Sequence, residues 1–73
     1  MEQLDLHRIS HVEAEMLIED FILRNIHQLP IKIITGNSSD MQKILLKLTT
    51  KFNLEISPEN YNNLGAYLIS NSI

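Results

Sequence analysis

The chain has no cysteine. That excludes a disulfide scaffold and any thiolate-based metal or nucleophilic site, and it points to a cytoplasmic protein. Nothing near the start resembles a signal peptide: Glu2 and Asp5 interrupt the first residues, and no apolar core stretch follows. The apolar runs are all far short of a membrane span, so no membrane partner is expected. No Walker loop is present, because Gly36 is not followed by a Gly-Lys-Ser sequence. No Ser-His-Asp triad is evident. His7 and His11 have no obvious third partner that would make them a metal site, so no metal ligands are assigned. No internal repeat, linker or low-complexity tract breaks the sequence.

What is there is a short, ordinary globular composition. Seventy-three residues, 44% hydrophobic and 21% charged, suit one domain spanning residues 1–73. A chain this small buries only around 60% of its unfolded surface. The net charge of −3 argues against a general polyanion binder, but its distribution is uneven. Residues 1–20 set Arg8 against Glu2, Asp5, Glu13, Glu15, Glu19 and Asp20. Residues 31–51 set Lys32, Lys43, Lys47 and Lys51 against Asp40.

The apolar pattern predicts the order β-α-β-α-β-β. Gln3 to His7 reads as a strand, with Leu4 and Leu6 on one face and Asp5 and His7 on the other. Ser10 then caps a helix from about His11 to His27, with Glu13 completing a capping box. Ala14, Leu17, Ile18, Phe21 and Ile22 form its core face. Val12, Met16 and Leu23 fall nearly opposite. They are expected to pack under the C-terminal segment, the alternative being a homo-oligomer contact. Ile31 to Ile34 is a β-branched strand, Thr35 to Ser38 a turn, and Ser39 the cap of a second helix, with Gln42 as its capping-box partner. That helix buries Met41, Ile44, Leu45, Leu48 and Phe52. It also carries Lys43, Lys47 and Lys51 as a basic ridge. Leu54–Ser57 and Ala66–Ser70 are the last strands, separated by a polar loop from Pro58 to Asn63.

A strand-helix-strand unit of this length makes the first two strands parallel, so their C-terminal ends share one edge. Ligands of open α/β sheets bind at such an edge. His7 and the Thr35–Gly36 turn both lie there. The turn opens a helix, whose free amides suit a phosphate, and Gly36 lets backbone approach a ligand closely. Asp5, two residues before His7 on the same strand face, can orient the imidazole or raise its pKa for acid–base work.

These segments resemble the Smr (small MutS-related) domain. Leu4-Asp5-Leu6-His7 is similar to that family's opening Leu-Asp-Leu-His-Gly motif, Val12-Glu13-Ala14 to the start of its first helix, and Ile33-Ile34-Thr35-Gly36-Asn37-Ser38 to its (His or Thr)-Gly-X-Gly turn. Arg8 and Ser38 stand where the family has glycine. The resemblance implies an α/β fold, a two-layer α+β sandwich similar to the C-terminal domain of translation initiation factor three. It implies nucleic acid, DNA or RNA, as partner, and endonuclease activity by DNA nicking or RNA cleavage, with no cofactor beyond an optional divalent metal. Asp5 and His7 would match the cleavage residues. Thr35, Gly36, Asn37, Ser38 and Ser39 would match the substrate-facing loop. Arg8 beside His7 can contact phosphate, and Lys43 and Lys47 can steer the strand. Two other functions fit the same residues: nucleic-acid binding without cleavage, and protein interaction through Val12, Met16 and Leu23.

Overall fold

The computed structural model describes residues 1–60 and 62–72. Of the expected polar loop, Tyr61 lies outside the described residues. The elements are β1 (Gln3–Asp5), α1 (His11–Arg24), β2 (Ile31–Ile34), α2 (Ser39–Lys51), β3 (Leu54–Asn60) and β4 (Asn63–Asn71). The expected element order and the α/β class both hold. The four strands form one mixed sheet in the order β1-β2-β4-β3. β1 runs parallel to β2, with Asp5 opposite Ile34, while β4 is antiparallel to both β2 and β3.

The register sorts the sheet into two faces. One row runs Leu4, Ile33, Tyr67, Pro58, and the next in-phase row Ile31, Ile69, Ile56. All of these except Pro58 join Ala14, Ile18 and Ile22 of α1 and Met41, Leu45 and Leu48 of α2 in or against one core cluster. Both helices therefore cover the same face, making two layers. The alternate rows, Gln3-Lys32-Leu68-Ser57 and Asp5-Ile34-Ala66, lie on the face that no helix covers. No helix among the described residues is long and apolar enough to cross a membrane.

Five local expectations are corrected. β1 stops at Asp5, because Leu6 closes a turn by accepting the Ile9 amide and Arg8 adopts φ +64°. A left-handed residue cannot continue a strand. His7 therefore sits in a turn and does not share a strand face with Asp5. α1 ends at Arg24, ahead of His27, because Asn25 caps it: its side-chain amide donates to the Phe21 carbonyl at 2.8 Å. α2 is capped by Ser38, whose Oγ accepts the Met41 amide at 3.1 Å, so Ser39 is the first helical residue. The β3–β4 ladder runs on past Ser57 to Asn60 and begins at Asn63, replacing most of the expected loop. An edge strand tolerates Pro58, which has no N–H to give, and a bulge between Pro58 and Asn60 takes up the irregularity. Finally, Val12, Met16 and Leu23 are 79%, 69% and 53% exposed, so nothing in the described chain covers them.

Ile18 is fully buried at the centre of the helix–sheet interface. Ile18→Ala is expected to cost about 3 kcal/mol from lost burial and a residual cavity. In a urea melt that loss should remove much of the stability available to a domain of this size.

Candidate functional site

The C-terminal ends of β1 and β2 lie side by side, and each leads at once into a helix. The β1 end gives the His7–Arg8 turn and the Ser10 cap of α1. The β2 end gives the Thr35–Asn37 turn and the Ser38 cap of α2. The Leu6 amide donates to the Ile34 carbonyl at 2.9 Å, so the pairing extends to the lip of this edge. Because the helices follow parallel strands on one face, they run in the same direction. Two ion pairs confirm this alignment: Glu15–Lys47 and Glu19–Lys51, each 2.8 Å and each 32 residues apart. The Glu19 hydrogen bond, reinforced by its charge, holds the Lys51 ammonium above its ordinary pKa.

The residues expected at this edge divide into structural and free. Asp5 accepts the His7 backbone amide on Oδ1 at 2.9 Å. It thus fixes the turn, and the structure gives no bond from it to the imidazole. Thr35 is buried; its hydroxyl donates to the Gly36 carbonyl at 2.9 Å and lies 3.4 Å from the Gly65 carbonyl. The Thr35 and Gly36 amides both donate to the same Gly65 carbonyl. Thr35 therefore ties the β2 turn to β4. Gly36 has a φ of +66°, which favours glycine, and a Cβ there would meet no atom of the chain within 4 Å. Ser38 acts as the helix cap and needs no glycine conformation, with φ −86°. Asn37 and Ser39 are exposed.

The basic ridge is also divided. Lys47 and Lys51 are tied to α1, and at the sheet Lys32 pairs with Glu59 and on α1 Arg24 pairs with Asp20. Arg8 and Lys43 are exposed and have no ion pair among the described residues. The 32-residue offset that pairs 15 with 47 and 19 with 51 sets His11 level with Lys43, one helical turn nearer the edge. There the ladder has a histidine where its other two rungs have glutamates. Arg8, His7, His11 and Lys43 thus collect at one end of the molecule, with Glu13 and Asp40 in the adjacent first helical turns. Sequence pattern within α1 does not place His11 at the edge; the spacing between the two helices does. Among the described residues no cavity opens and no three His, Asp or Glu side chains gather as a metal site would require.

Compared with known families, characterised proteins and solved structures, the chain matches none.

Arg8 carries two separable roles. Its backbone is in the left-handed region, which costs a side-chain-bearing residue about 1 kcal/mol. Arg8→Gly should stabilise the fold by about 1 kcal/mol and so raise the denaturation midpoint, whereas Arg8→Ala should not. A thermal melt of both variants separates the backbone effect from loss of the guanidinium. Ser38→Ala should cost about 1 kcal/mol in the same assay and Ser39→Ala far less, since only Ser38 caps.

Proposed function

We propose that the domain binds single-stranded nucleic acid along its sugar–phosphate backbone at the edge formed by the β1 and β2 turns. One observation carries this reading: Arg8 and Lys43, which have no ion pair among the described residues, stand at the same end of the fold as His7 and His11. Cations already paired to carboxylates gain little from a phosphate; free ones release counterions and bind. Arg8 can clamp a phosphate with two parallel N–H donors, and Lys43 can meet the next one as a point charge. The resemblance to the Smr domain supports the same reading. A left-handed Arg8 is also what one expects at a motif position where that family has glycine.

The edge is suited to phosphates more than to bases. Phe21, Phe52 and Tyr67 are packed against the core cluster. They are thereby withheld from the uncovered sheet face, where a stacking platform would need them. Recognition should accordingly be weakly sequence-dependent and strongly salt-dependent.

A second reading, cleavage of the bound strand, is favoured by the position of His7. Its backbone is held by Asp5 while its side chain remains exposed beside the cations. On RNA the imidazole would take the 2′-hydroxyl proton, the freed 2′-oxygen would attack the phosphorus to give a 2′,3′-cyclic phosphate, the 5′-oxygen would leave and take a proton from water, and Arg8 would stabilise charge developing on the phosphate. Asp5 serves this reading by positioning the His7 turn.

Fluorescence anisotropy with a labelled single-stranded oligonucleotide tests the binding. Arg8→Ala combined with Lys43→Ala should weaken it roughly 10-fold or more and lower the log–log salt slope by about 1.4, two contacts at about 0.7 each. Arg24→Ala, at the far end of α1, should leave both unchanged. Binding that ignores salt, or survives the double variant, would overturn the proposal. In parallel, incubation with RNA and supercoiled DNA should show cleavage by the wild type and none by His7→Ala, with binding retained. Two uncut substrates would remove the cleavage reading alone.

A further inference from the structure

The fold sorts the histidines of the chain to its two ends. His7 lies in the turn after β1 and His11 opens α1, so both stand at the lip with Arg8 and Lys43, and both are exposed. His27 follows the far end of α1, about 20 Å away along the helix axis. We propose that nucleic-acid binding at the lip is gated by protonation of His7 and His11, the edge taking up protons as it takes up phosphates. This rests on the nucleic-acid reading of the same edge and adds its regulation.

The charge balance at the lip carries the inference. Every element that meets there contributes to it. β1 brings Asp5, whose carboxylate accepts the His7 amide, and the turn brings Arg8. The first turn of α1 brings Glu13, and the first turns of α2 bring Asp40 and Lys43. Glu15 on α1 and Glu59 on β3 are already matched by Lys47 and Lys32, and the start of β4 bears no charge. Arg8 and Lys43 thus stand against Asp5, Glu13 and Asp40. With both rings neutral the balance is one negative charge, and with both protonated it is one positive charge. Histidine is the side chain that changes charge between about pH 5 and pH 8, so two protons reverse the sign of the edge within that window. The Met1 amino group also titrates near neutrality, but it lies at the other end of β1, where Glu2 accepts the Lys32 amide.

The sign of the linkage is fixed. A phosphate beside a ring favours its charged form, so each ring holds its proton more firmly in the complex. That strengthens binding at acid pH, and the contribution is lost as pH rises through the histidine range. His27 is farther from the lip than the roughly 10 Å screening length at 0.1 M salt, so it takes no part.

Fluorescence anisotropy with rhodamine-labelled oligothymidylate, whose bases keep their charge across this range, tests the gate. The full chain should bind roughly 10-fold more tightly at about pH 5.5 than at about pH 8. Its log–log salt slope should steepen by about 1.4 over the same interval, two rings at about 0.7 each. His7→Gln combined with His11→Gln should bind alike at the two pH values. His27→Gln should keep the wild-type pH dependence. Salt-sensitive binding that is equal at both pH values overturns the gate and leaves the nucleic-acid reading standing. So does a pH dependence that survives the double variant or disappears with His27→Gln. Binding at neither pH overturns the gate together with the reading beneath it.

Discussion

The parallel pairing of β1 with β2 is the constraint on which the rest depends. Three register pairs and the Leu6–Ile34 hydrogen bond force both strands to end at one lip. Each strand must then return along the same sheet face by a helix, so the two helices start together and run together. Their dipoles point the same way, an arrangement that side-by-side helices do not favour electrostatically. The Glu15–Lys47 and Glu19–Lys51 bridges oppose that repulsion along the shared flank. At the lip the same offset sets His11 level with Lys43, and Lys43 has no ion pair among the described residues.

The chemistry of the edge follows from which groups the fold has already used. Asp5, Thr35, Gly36 and Ser38 look like site residues in the sequence, yet each has a structural partner or a conformational task. They shape the lip. The side chains of Arg8, His7, His11 and Lys43 are exposed and have no such partner among the described residues. A small domain that lacks a pocket among its described residues can still offer a surface for an extended polyanion, because phosphate recognition does not need enclosure.

Much of the fold was legible from local pattern. The β-branched run Ile31–Ile34, the Ser10 cap and the core stripe of α2 all declare themselves within a few residues, and the first two elements imply the parallel edge. The failures share a cause: each depended on contacts distant in sequence or on a single backbone angle. Ser38 and Ser39 are equivalent as caps by local pattern; the turn that Thr35 makes with Gly65 decides between them. Period-two alternation carries β1 through His7, and only the left-handed Arg8 stops it. The lysine ridge reads as free until α1 is laid beside α2, when two of its three members acquire glutamates 32 residues away. The long β3–β4 ladder was hidden by Pro58, which signals a break in a central strand but not in an edge one.

The edges of the sheet close off a whole mode of interaction. On one side β1 offers only three residues, too few to template another strand. On the other, β3 is longer, but Pro58, the bulge beside it, and the charges of Glu55 and Glu59 interrupt its ladder. Neither border is fit to recruit an extended peptide or to zip onto its counterpart in a neighbouring molecule. The domain is thus protected against growing its sheet into an aggregate.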